Sequence, residues 1–132
     1  MNLKIITQEK VVFDGKVDEI YTRGVDGEFG ILKGHIPIMV ALDIGVTKVK
    51  IGNEYKSFTT MGGILQFQKD NCLILTTLAE AGDEIDEMRA REALEHNRHK
   101  LREANSRIDS KRIEASIARA KARLKAKLNN GN

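Results

Sequence analysis

The chain has 132 residues, with 22 lysines and arginines against 19 aspartates and glutamates and a net charge of +3, enough for one domain or for a small domain with an appendage. No stretch approaches the ~20 apolar residues of a membrane span, and the N-terminus has no basic segment leading into an apolar core, so the expectation is a soluble, intracellular chain. Cys72, the one cysteine, has no partner for an internal disulfide and is expected to be a small buried hydrophobe in a reducing compartment.

Residues 1–82 read as β-structure. Runs rich in β-branched and aromatic residues at 3–7, 11–13, 17–23, 28–32, 38–42, 46–51, 55–60, 64–68 and 72–78 alternate with turn signals. Val46-Thr47-Lys48-Val49-Lys50-Ile51 has the period-two alternation of a half-buried strand. Gly52-Asn53 after it is a two-residue hairpin signal, because both residues tolerate positive φ. Lys69-Asp70-Asn71 joins the last two runs in a similar way. Cys72-Leu73-Ile74-Leu75 is continuously apolar and predicts a strand covered on both faces. Eight to ten strands at this spacing predict a flattened sandwich or barrel with a small core.

One predicted loop, residues 27–37, carries Gly27, Gly30 and Gly34, which implies positive-φ positions or close backbone approaches. It is not a phosphate loop, since Gly34 is followed by His35, Ile36 and Pro37 rather than by lysine and a helix. His35 reads either as a turn residue packed against the sandwich or as part of an exposed contact loop.

Composition breaks at Gly82-Asp83. Ten of the eleven glycines, the only proline and all six aromatics precede Asp83. Residues 1–82 carry a net charge of −1 and residues 83–132 a net charge of +4, so the basic excess belongs to the second part. Residues 83–132 are predicted to be two helices of about 20 residues forming an antiparallel hairpin. Asp83 is the expected N-cap of the first helix, with Asp86 at its third position. Ala90, Ala93, Leu94, Leu101, Ala104 and Ile108 fall on one face. Asn105-Ser106 marks the turn. Asp109 is the expected cap of the second helix, with Ile108 and Ile113 as a hydrophobic staple. Ile113, Ile117, Ala120, Leu124 and Leu128 recur with coiled-coil spacing. These seams are rich in alanine and bury little area, so the hairpin is expected to detach more easily than the sandwich unfolds.

The seam flanks carry the candidate chemistry. Ile85, Arg89 and His96 share one flank of the first helix, with Asp86 at its edge, and Arg112, Arg119 and Arg123 form a row on the second. Converging arginines suit a phosphate chain, because guanidinium stays charged and binds bidentately. A carboxylate such as Asp86 suits an adenine amino group. The same spacing equally describes a capping aspartate and a solvated arginine row. His96 and His99 lack a third ligand, so no metal site is expected. A nucleic-acid module is disfavoured, because the helical part keeps nine acids and has no aromatic to stack bases. A free-standing coiled-coil adaptor is the other alternative. No nucleophile–base pair, metal cluster or paired catalytic carboxylates emerge, so no enzyme is expected.

Several of these motifs stand in one order: Gly27-x-x-Gly30-x-x-x-Gly34-His35-x-Pro37, Gly62-Gly63, Ala79-Glu80, Ile85-Asp86-x-x-Arg89-Ala90, and an arginine- and alanine-rich last helix. With them the chain resembles the ε subunits of bacterial F-type ATP synthases over essentially its whole length. The resemblance implies a mainly β N-terminal domain at 1–82, a sandwich that clamps the γ subunit to the c-ring, and a regulatory helical hairpin at 83–132, together an α+β chain. It implies no catalysis by the chain and no required cofactor. Folded down, the family's hairpin permits turnover; extended into the α/β catalytic head, it inhibits ATP hydrolysis. In some members the folded hairpin binds ATP without hydrolysing it. The residues matching that motif are Glu80, Ile85, Asp86, Arg89, Ala90, Arg119 and Arg123, whereas His96 stands where strong binders carry arginine. Glu28, Gly34 and His35 match the surface facing the stalk and ring. The implied place is the cytoplasmic face of the cell membrane, reached only through other subunits, with no nucleic-acid partner.

Overall fold

Leu3 and Ile5, Ile20 and Thr22, Thr47 and Val49, and Cys72 and Ile74 are buried at alternate positions, with more exposed residues between them. Each of these pairs points to one buried face. The computed structural model describes residues 1–129, in which this alternation builds eight strands. They are β1 (Asn2–Ile6), β2 (Val11–Lys16), β3 (Glu19–Gly24), β4 (Gly27–Leu32), β5 (Ile38–Ile51), β6 (Glu54–Gln68), β7 (Asn71–Leu75) and β8 (Ala79–Ala81). The sheet order is β2-β1-β7-β6-β5-β3-β4, with β8 added to β6, and it encloses a core of Leu3, Ile5, Ile20, Ile31, Val49, Phe58, Leu65, Phe67 and Ile74. Neighbouring strands are antiparallel except β1 and β7, which pair in parallel from Asn2↔Asn71 to Ile6↔Leu75. The result is the expected N-terminal β-sandwich followed by two helices.

Four of the expected runs fuse. Runs 38–42 and 46–51 are one strand, β5, and runs 55–60 and 64–68 are one strand, β6. Gly62 and Gly63 sit inside β6 at φ +79° and +118°, so they bend the strand without ending it. The ladder passes from Leu42↔Gly63 to Ile44↔Met61 across this bend. Before it β6 pairs with β8, and after it with β7. The expected run 28–32 is strand β4, paired to β3, so the glycine-rich segment read as a loop over 27–37 is strand up to Leu32 and loop only beyond it. Gly27 and Gly34 have positive φ, and Gly30 is a close approach, since a Cβ there would lie 3.0 Å from the Tyr21 ring. The Gly52-Asn53 hairpin forms with positive φ at Gly52 alone, as a type II′ turn requires. β7 is not covered on both faces: Cys72 and Ile74 are buried, but Leu75 is 48% exposed. Burial pushes the Cys72 thiol up to about 12, so it is inert as a nucleophile.

After β8 the chain makes a single 3₁₀ turn (Gly82–Glu84), then α1 (Glu87–Arg102) and α2 (Arg107–Asn129). Asp83 does not cap α1. Ile85 is pulled into a buried, extended position (φ −81°, ψ 130°), which breaks the helix there and moves the cap to Asp86. Asp86 Oδ1 accepts from the Arg89 N–H at 3.1 Å. Asp109 does not cap α2 either. Ser106 Oγ accepts from the Asp109 N–H at 3.1 Å, so Asp109 lies in the first turn, where its charge suits the helix dipole. Ile108 is 69% exposed and staples nothing, and α1 ends before Ala104. Leu128, also 69% exposed, is outside the α2 seam.

The hairpin buries Ala90 and Leu94 of α1 and Ala120 of α2. α2 has a second buried face outside the predicted seam. Ala122 and Ala126 are buried, and α2 packs along β5 and β6. No helix among the described residues is long and apolar enough to cross a membrane.

Candidate functional site

The segment joining sandwich to hairpin builds a cleft. β8 fixes Glu80, whose N–H donates to Thr59 Oγ1 at 2.9 Å. Glu80 Oε1 accepts from Arg123 Nε on α2 at 2.7 Å, with both side chains about a third exposed. The break at Ile85 then turns the chain so that the first two turns of α1 face α2. The cleft is about 400 Å³ and is lined by Glu80, Glu84, Ile85, Asp86, Arg89, Ala90, Ala93 and Arg123. Its size lies within the range of small-molecule sites, roughly 300–1,000 Å³.

Six of the seven expected nucleotide-site residues line this cleft. Arg119 does not: it lies one helical turn before Arg123 and donates through Nη2 to Ser116 Oγ at 2.8 Å. His96 is exposed and outside the lining. Glu84 and Ala93 also line the cleft, although neither is among the expected site residues and Ala93 reads from sequence only as part of the helix seam. Adjacency to Ile85, and a step of three from Ala90, were the signals for them.

Glu80, Glu84 and Asp86 contribute carboxylates, and Arg89 and Arg123 contribute guanidinium groups that remain charged. Arg123 spends its Nε on Glu80, which leaves the two terminal amines of its fork for an anionic ligand. Asp86 spends Oδ1 on the helix cap, so a ligand amino group would fall to its other oxygen. Ile85 and Ala90, both buried, supply the apolar wall.

The three expected partner-contact residues are not brought together. Gly34, exposed at φ +84°, and His35 lie beyond the end of β4, while Glu28 lies near its start. His35 is half-buried. Its ring meets Phe67 edge-on at 5.9 Å, and Nδ1 lies 2.7 Å from the Ile36 carbonyl oxygen. Glu28 instead faces the hairpin, with Oε1 3.2 Å from Lys125 Nζ on α2. The outer sheet face carries a separate apolar patch. Met39 is 67% exposed, and Ile64 and Leu75, paired across β6 and β7, are 47% and 48% exposed.

Residues 1–82 match the model of the ATP synthase Delta/Epsilon chain beta-sandwich domain, and residues 83–127 match that of the same chains' long alpha-helix domain. The chain is 38% identical over 129 residues to the ATP synthase epsilon chain of Rippkaea orientalis, covering 96% of this chain and 95% of that protein. It is 36% identical over 124 residues to that of Desulforamulus reducens, covering 94% of each. Among solved structures it is similar to a chain in the Euglena gracilis mitochondrial ATP synthase, OSCP/F1/c-ring in rotational state 1. The TM-score is 0.82 at 25% identity, over 96% of this chain and 79% of that one.

Proposed function

The chain belongs to the ATP synthase epsilon chain family, and from that premise we propose a non-catalytic central-stalk subunit whose hairpin switches ATP hydrolysis. In this reading the sandwich joins the γ subunit to the c-ring. The apolar patch of Met39, Ile64 and Leu75, with the Gly34-His35 loop, is the surface offered to them. The hairpin docked on the sandwich is the permissive state. Released from it, the basic helices extend into the α/β catalytic head and stop hydrolysis. The protein sits peripherally at the cytoplasmic face of the cell membrane, held by its partners.

One observation carries the switch: the docking interface is slight. α2 meets the sandwich through the buried alanines Ala122 and Ala126, the Arg123–Glu80 pair and the exposed Lys125–Glu28 contact. An alanine methyl buries little area, so undocking costs far less than unfolding the sandwich. The test is removal of residues 83–132 from the reconstituted enzyme. ATP hydrolysis is expected to rise severalfold while hydrolysis remains coupled to ion pumping. An unchanged rate would remove the hairpin's inhibitory role.

ATP, bound and not hydrolysed, is the proposed ligand of the cleft. Arg89 and Arg123, with Arg119 swinging in from the rim, hold phosphates, and Asp86 and Glu80 orient the nucleoside. Ile85 and Ala90 pack on its apolar face. Filling the cleft joins α1, α2 and β8 and so favours the docked hairpin. His96, two turns after Arg89 on α1, is a weak phosphate partner while neutral. His96→Arg is therefore expected to tighten ATP binding about tenfold by calorimetry, the value of one added charge-assisted hydrogen bond. No gain would place position 96 out of reach of the ligand.

A further inference from the structure

We propose that the Lys125–Glu28 ion pair is a nucleotide-independent latch that holds the hairpin on the sandwich from the flank of α2 opposite the nucleotide cleft. α2 rests on the sandwich on a ridge of alanines with open space on each side. On one flank is the nucleotide cleft, crossed by Arg123 and Glu80. On the other, between α2 and strands β3 to β5, lie two clefts of about 400 and 270 Å³. Lys125 and Glu28 line both of these clefts, so their 3.2 Å contact bridges an otherwise unpacked groove. The carboxylate is aimed from the sandwich side: Arg23 Nη1 lies 3.9 Å from Glu28 Oε1, and Arg23 Nε lies 3.8 Å from Asp43. The paired residues are 97 positions apart in sequence, so their contact exists only while the hairpin is down.

Arg123 is the cation that ATP phosphates would share, whereas Lys125 faces away from that cleft. The two flanks therefore respond to different things, one to nucleotide and one only to charge and salt. An exposed pair is modest by itself. Reversing Glu28 also sets a new cation against Lys125, so lost attraction and new repulsion add.

This inference rests on the reading of the hairpin as a part that undocks. Its test is amide hydrogen exchange across residues 118–128 of the full chain without ATP, in the wild type, E28K, K125E and the charge swap E28K/K125E. Each single reversal is expected to speed exchange about three- to tenfold, and the swap to return it to within about twofold of wild type. Unchanged exchange in the single variants, or a swap no slower than they are, overturns the latch. The truncation experiment reports separately on the parent reading: if removing the hairpin leaves hydrolysis unchanged, the inhibitory role fails while a restored swap still demonstrates the latch.

Discussion

Gly63→Ala is expected to destabilise the sandwich by on the order of 3 kcal/mol or more, lowering its Tm by about 10–20 °C. Gly63 adopts φ +118°, a region that side chains rarely enter. A Cβ there would also overlap the Leu75 carbonyl oxygen and lie 2.8 Å from Thr76 Cα. Both are backbone atoms, so β7 would have to shift and its ladder to β6 would open. Gly62→Ala is the internal comparison. At φ +79° it carries conformational strain, but its Cβ would meet only the Leu42 carbonyl oxygen, at an ordinary 3.8 Å. Its cost is therefore expected to be about 1–2 kcal/mol. Thermal unfolding followed by far-ultraviolet circular dichroism compares the two. Equal melting of the two variants would show that the close approach at Gly63 is relieved without penalty.

The double change Asp86→Ala with Arg89→Ala is expected to weaken ATP binding more than about a hundredfold, since two charge-assisted hydrogen bonds disappear together. Calorimetry of the full chain, with and without magnesium, is the measurement. Asp86 also caps α1, and the loss of a cap costs about 1 kcal/mol of helix stability. Asp86→Asn separates the two roles, because asparagine caps as well as aspartate but carries no charge. Weak binding in Asp86→Asn with helix content intact assigns the effect to the ligand. Unchanged affinity in the double variant would leave Asp86 and Arg89 as capping and packing residues and empty the cleft of its proposed occupant.

Much of the fold was legible because the two halves obey different periods. Alternation at Val46–Ile51 and the loss of glycine and aromatics after Gly82 needed no tertiary information. The strand breaks were misplaced because Gly62-Gly63 looks like a turn, whereas the sheet uses positive φ there to bend a strand that continues. Both helix caps were misplaced because a local pattern ranks Asp83 and Asp109 well. The burial of Ile85 overrules the first, and the hydroxyl of Ser106 reaches the backbone one turn ahead of the second. The cleft was legible in part. Spacing put Asp86, Arg89 and Arg123 on helix flanks, but bringing Glu80 to Arg123 required α2 to pack back on the sandwich. Lys125 opposite Glu28 left no trace in any local window, and neither did the second alanine face of α2.

The parallel pairing of β1 with β7 bears on how the protein is made. The first strand cannot complete its pairing until β7 has left the ribosome, because β1 lies between β2 and β7. The Asn2–Asn71 contact spans 69 positions of sequence, so this pairing is of high contact order and slow to close. Once residue 81 emerges, every sheet partner is outside the ribosome and the hairpin residues follow it. A message truncated anywhere past that point would yield a chain with every strand of the sandwich and an incomplete helical hairpin.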